Sequence, residues 1–118
     1  MKHFKFSEFD SPDAPGSGAR MDPAFLKMLD EARELAGIPF HINSGYRTPK
    51  HNQRINGSKQ SSHMRGFAAD VKCVNSRDRF RIVAALIAAG FARIGIHDAF
   101  IHCDCDNIKT PGVVWLYA

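Results

Sequence analysis

The chain has 118 residues, enough for one domain with a single buried core. Its 44% hydrophobic content suits a soluble globule and excludes a disordered chain, and no apolar run reaches the ~20 residues of a membrane span. The formal charge of +4, from 16 basic and 12 acidic residues scattered without a run, fits an anionic partner such as a wall polymer or nucleic acid, and equally fits plain solubility.

The opening "MKHFKFSEFDSPDAPG" is broken by acids and lacks the continuous apolar stretch of a secretory signal, so synthesis in the cytoplasm without a Sec-type signal is the expectation. Residues 11–20, rich in Pro, Gly and Ser, read as a surface loop. Asp22 then caps a helix with Pro23 at its first position. Phe25, Leu29, Ala32 and Ala36 form its stripe, widened by Met28 and Leu35, and Gly37 ends it.

"FHINSG" at 40–45 reads as a short strand entering a turn, and Thr48 and Pro49 open a second short helix to about Ile55. Residues 56–62 form a polar loop with an Asn-Gly turn signal, and "FAADVKC" at 67–73 is a strand. Ser76 caps a third helix whose apolar face is Phe80, Val83, Ala84 and Ile87, ending at Gly90. "RIGIH" and "FIHCDC" are two strands joined at Asp98–Ala99, and "VVWLY" at 113–117 is a last strand. Early helices and late strands give the class α+β: a small, mostly antiparallel sheet with helices packed on it, in one domain over residues 1–118.

Three cysteines, with no C-x-x-C pair, do not make a disulfide framework. Cys73, Cys103 and Cys105 read as free thiols, which implies folding in a reducing compartment. Alternation on a strand puts Cys103 and Cys105 on one face and His102, Asp104 and Asp106 on the other.

Three metal-competent side chains on one strand face are more than a core needs. Asp70 shares a strand face with the small Ala68, and Gly66 can turn the chain so that His63 reaches the same point. Two neutral imidazoles and one carboxylate, His63, Asp70 and His102, suit zinc with a fourth position open to water, the pattern of a catalytic rather than a structural site. The same residues also fit a capped loop histidine, a solvated aspartate and a strand histidine paired to a neighbour.

"SSHMRGFAAD" at 61–70 resembles the S-x-H-x-x-G-x-A-x-D signature of the zinc D-alanyl-D-alanine carboxypeptidases. That family includes phage L-alanyl-D-glutamate endopeptidases and shares its fold with hedgehog signalling domains. "INSGYRTPKHN" at 42–52 is similar to its S-G-Y-R segment, and "FIHCDCD" to its H-x-D ending, with Cys103 and Cys105 where valine is usual. The short form is similar to bacteriophage and prophage proteins.

The resemblance implies a hedgehog-like domain that hydrolyses peptidoglycan peptide bonds involving D-amino acids. It would act as a D,D-carboxypeptidase or L-Ala-D-Glu endopeptidase, with zinc on His63, Asp70 and His102. It implies that Arg47 grips a substrate carboxylate, for which the guanidinium fork is suited, and Ser62 would touch substrate or orient His63. Many members carry an acidic general base three residues before the last zinc histidine, where this chain has Ala99.

That departure leaves Asp104, on the same strand face as His102, as the first choice for the carboxylate that handles the proton, with Asp98 second and Asp106 a surface acid. His97 lies close enough for an oxyanion role. His3, His41 and His51 are read as surface or cap residues, and Trp115 and Tyr117 as core or cleft wall. The expected partner is a peptidoglycan peptide, met by a monomer at the cell wall or periplasm without membrane insertion. Nucleic acid binding rests on charge alone. Without the acid at position 99, a catalytically inert peptide-binding module of the same fold is the alternative.

Overall fold

A computed structural model describes all 118 residues. Helix α1 spans Pro23–Ala36; Asp22 accepts a bond from the Phe25 amide at 2.9 Å at its start, and Gly37 in the left-handed region closes it. Its buried stripe is Phe25, Leu26, Leu29, Ala32 and Ala36. Leu35, expected to widen that stripe, is 58% exposed, and Leu26 takes its place. The short α2, Pro49–Arg54, starts at the Thr48 cap.

Helix α3, Ser76–Ala89, corrects the sequence reading twice. Asn75 is its cap, accepting from the Asp78 amide at 2.8 Å. Its buried face is Ile82, Ala85 and Leu86, while Phe80 is 76% and Ile87 56% exposed. Two apolar stripes run along this helix, each at helical spacing, so periodicity alone could not choose between them. Packing against α1 and the sheet makes the choice.

The five strands are β1 (Ile42–Ser44), β2 (Ala68–Lys72), β3 (Arg93–Ile96), β4 (Phe100–Asp104) and β5 (Val113–Leu116). They form one sheet in the order β1-β2-β4-β3-β5, antiparallel except for the β3–β5 pair. The fold is therefore α+β with a mostly antiparallel sheet, as the sequence implied.

Side chains alternate across a sheet, so register assigns every strand residue to one of two faces. Ala69, Cys103, Ile94 and Val114 form one transverse row, and Val71, Ile101, Ile96 and Leu116 the next. These rows face α1 and α3 and supply Val71, Ile94, Ile101 and Cys103 to the core. On the opposite face, Asp70, His102, Gly95 and Trp115 form one row, and Ala68, Asp104, Arg93 and Val113 the next. Of the site residues read from the sequence, Asp70, His102 and Asp104 lie on this second face.

Candidate metal centre

His63 comes from a 3-10 turn, Ser62–Arg65, immediately before β2. The Ser61 hydroxyl accepts from the His63 amide at 3.2 Å and starts that turn. Gly66 ends it at φ 77, where a side chain is strained, and a Cβ there would meet the Arg20 carbonyl oxygen at 2.6 Å. The chain thus reverses into β2, and His63 comes to rest above Asp70. The Nδ1 of His63 donates to the Gly45 carbonyl at 2.9 Å, which leaves Nε2 facing Asp70 Oδ2 at 3.4 Å.

Asp70 and His102 are direct cross-strand neighbours in the β2–β4 ladder. Nδ1 of His102 lies 2.9 Å from Asp70 Oδ1. The two imidazoles meet edge to face with centroids 5.3 Å apart. One ligand atom from each of His63, Asp70 and His102 lies within 4.8 Å of the other two. His63 is 4% and His102 8% exposed, and such buried imidazoles require partners. Two nitrogens and one oxygen converging on a point, with an open cleft above, is a donor set that fits zinc.

The charges on this cluster are coupled. Burial opposes ionisation of Asp70, but hydrogen bonds from His102 and His63 outweigh it and hold its carboxyl far below the usual range. Burial likewise disfavours a charged His102, yet bonds to Asp104 and Asp70 prevail and raise its pKa. The thiols stand apart from this chemistry: burial raises the Cys103 pKa and pushes that of Cys105 up to about 11, and Cys103 lies on the helix face. Both therefore stay protonated at neutral pH.

The cleft above the cluster has a volume of about 300 Å³. Arg47 borders it on one side. Its amide donates to the His63 carbonyl at 3.1 Å, and the adjacent Tyr46 amide to the Phe9 carbonyl at 2.8 Å, so the turn carrying Arg47 is fixed by both neighbours. Its guanidinium donates to Asn52 at 3.0 Å, Ser61 at 3.4 Å and Ser44 at 3.2 Å, all neutral, and its buried Nε has no partner. Burial depresses the Arg47 pKa, and Asp70 nearby offsets part of that cost. A half-buried guanidinium without a hydrogen-bonded carboxylate partner is poised for an anionic ligand.

The opposite wall is aromatic. Trp115 packs on His102 with centroids 5.4 Å apart, and Phe100 and Tyr117 continue the wall. Gly95 makes this possible, because a Cβ there would meet Trp115 and Tyr117 at 2.7 Å. Trp115 and Tyr117 are thus cleft wall rather than core.

The remaining site residues are placed differently from one another. Asp104 meets His102 at Nε2, across the ring from Asp70, at 2.7 Å. Asp98 is exposed on the β3–β4 turn and lines no part of the cleft. The Ser62 hydroxyl lines the cleft but donates to Asp106 at 2.7 Å and accepts from Lys109 at 2.9 Å. His97 also lies outside the cleft lining, stacked on Phe100 at 4.5 Å.

Asp106, expected at the surface, is 2% exposed. It holds Ser62, Arg65 and the Ile108 amide and so ties the His63 turn to the end of β4. Sequence alternation missed this because β4 ends at Asp104 and the chain turns inward. Sequence reasoning also passed over Arg93, a lone basic residue at a strand start, which bonds Asp104 at 2.8 Å.

Comparison with known proteins gives two findings. No curated protein matches the sequence. A protein-family model described as Peptidase M15 matches residues 2–104, which includes every residue of the cluster.

Proposed function

From the premise that the chain belongs to the Peptidase M15 family, whose members are typically zinc-dependent and act on peptidoglycan peptides, we propose that it hydrolyses a peptide bond next to a D-amino acid in bacterial peptidoglycan. The bond is either that of a terminal D-Ala-D-Ala or of an internal L-Ala-D-Glu. The family assigns a metallopeptidase in general; the bond, the residues and the place of action at the cell wall are this proposal. The observation that carries it is the convergence of His63, Asp70 and His102 within 4.8 Å in a cleft that Arg47 also lines, with no carboxylate hydrogen-bonded to its guanidinium.

In this reading His63 Nε2, an Asp70 oxygen and His102 Nδ1 hold the ion. Zinc, when bound, supplies a Lewis acid and a water whose pKa falls towards ~7. Arg47 takes a substrate carboxylate and thereby sets which bond lies over Asp70. Trp115, Phe100 and Tyr117 hold the peptide against the opposite wall and displace bulk water from it. Ser62, with its hydroxyl committed to Asp106, keeps the His63 turn in place rather than binding substrate.

One observation favours a second reading, an inert peptide-binding module. Asp104 is fully bonded, Asp98 faces away, and position 99 is alanine, so no free acid stands ready for the proton. The experiment that separates the two is incubation of the zinc-loaded chain with purified peptidoglycan, followed by mass spectrometry of the soluble fraction. The enzyme releases D-Ala or peptide fragments, and chelation abolishes the release. Binding to the wall material with no release, at a verified ~1 zinc per chain, would establish the module instead.

A further inference from the structure

We propose that Asp104 is a positioning residue: its carboxylate holds His102 in the orientation and tautomer that leave Nδ1 for the ion, and Arg93 holds the carboxylate. The inference rests on His63, Asp70 and His102 being the ligands. It reassigns Asp104 away from the proton-transfer role its strand position suggested.

The geometry divides the His102 ring between two carboxylates. Nδ1 faces Asp70 Oδ1 at 2.9 Å and Nε2 faces Asp104 Oδ2 at 2.7 Å. The two nitrogens of an imidazole diverge, so an acid bonded at one cannot reach a water on an ion bonded at the other. The second oxygen of Asp104 is also occupied, by Arg93 Nε at 2.8 Å and the Asp106 amide at 3.1 Å. At 1% exposure Asp104 borders the cleft, but both of its oxygens are already engaged by His102, Arg93 and the Asp106 amide. A general base needs an oxygen within reach of the proton it takes, and this carboxylate offers none.

What it does offer is the outer contact of a metal-bound histidine. A ring N–H donated to a carboxylate fixes the tautomer and makes the other nitrogen a better ligand. The Nδ1 of His63 is held in the corresponding way by the Gly45 carbonyl, so each histidine has one nitrogen committed outward and one free for the ion.

Arg93 completes the arrangement. It sits opposite Asp104 in the β3–β4 ladder, donates from Nη1 to the Thr110 carbonyl at 2.5 Å, and lies over the Trp115 ring with its guanidinium carbon 5.0 Å from the centroid. It therefore joins the carboxylate, the cleft wall and the loop before β5.

The test measures zinc affinity of the full chain by competition with a chromophoric chelator, alongside the ring-nitrogen NMR spectrum of the zinc-loaded protein. Asp104→Asn should weaken zinc binding by ~10–100-fold, Arg93→Gln less, and Asp104→Glu should recover part of the loss. The wild-type spectrum should show a proton on Nε2 of His102 and metal on Nδ1. Should Asp104→Asn fail to fold by circular dichroism, Arg93→Gln and the wild-type spectrum carry the test. Zinc affinity unchanged within about twofold in both variants, with turnover lost in Asp104→Asn, would overturn the proposal and return Asp104 to the proton. Absence of zinc binding by the wild type would instead remove the ligand reading beneath it.

Discussion

The two faces of the sheet are built from the same strands and obey opposite rules. On the helix face, Ala69, Val71, Ile94, Ile101 and Cys103 are all 0–1% exposed and are held mainly by packing, the one side-chain hydrogen bond among them being from the Cys103 thiol to the Ala69 carbonyl at 3.7 Å. On the cleft face, one residue along in each strand, Asp70, His102 and Asp104 each hold named partners through directed bonds. A helix-face side chain has many acceptable substitutes of similar volume. A cleft-face side chain has almost none, because its neighbour would be left with an unpaired buried polar atom. A period of two thus lets five residues of β4 serve core and site at once. The arrangement loosens only at the edge, where the helices do not cover β5. There Val114 and Leu116 are 57% and 79% exposed, while Trp115 still packs on His102.

The contrast predicts that damage on the two faces is separable. The largest effect is expected from His63→Ala. Zinc content should fall from ~1 per chain to near zero, while circular dichroism of the metal-free chain remains native. Retention of stoichiometric zinc by this variant would break the contrast at its centre. Leu86→Ala, on the helix side, should cost ~2–5 kcal/mol in urea unfolding yet leave zinc affinity of the folded protein unchanged. Phe80→Ala on the same helix should cost no more than ~0.5 kcal/mol, because that ring is 76% exposed. A large loss at Phe80 with little at Leu86 would mean that α3 packs by its other stripe.

Much of this was legible before the structure, and the misses have physical causes. Caps and glycine stops are local chemistry, so α1 and α2 followed from Asp22, Gly37 and Thr48. The cluster was legible because Asp70 and His102 lie on strands, where alternation fixes the face, and because Gly66 announces the reversal at His63. Three features depended on what lies across a contact. Which stripe of α3 is buried depends on α1. Whether Asp106 is inside depends on how the chain leaves β4. Which side of the His102 ring Asp104 meets depends on Arg93 from the next strand. Strand alternation tells which face a residue shares, but not which atom it meets there.

The smallest expected effect is a pH dependence confined to the cleft face. In the metal-free chain, the Asp70 and Asp104 pKa values are lowered and that of His102 is raised. A carboxyl depressed on folding contributes stability that is present above its unfolded value of ~3.9 and is lost as pH falls through the folded value. A histidine raised on folding contributes stability that is complete below ~6.5 and is lost as pH rises through the folded value. The metal-free chain should therefore be most stable between about pH 4 and 6.5, with thermal midpoints declining towards pH 8. Zinc requires the deprotonated imidazole, so its stabilisation runs the other way and grows with pH. The gap between midpoints with and without zinc should widen from about pH 5.5 to 8, as scanning calorimetry would record. His102→Gln should flatten the metal-free profile over that range, whereas Leu86→Ala should lower the whole profile without changing its shape. If Leu86→Ala altered the shape and His102→Gln did not, the charged cluster would no longer explain the pH response, and the division of labour between the two faces would fail on the energetic side as well.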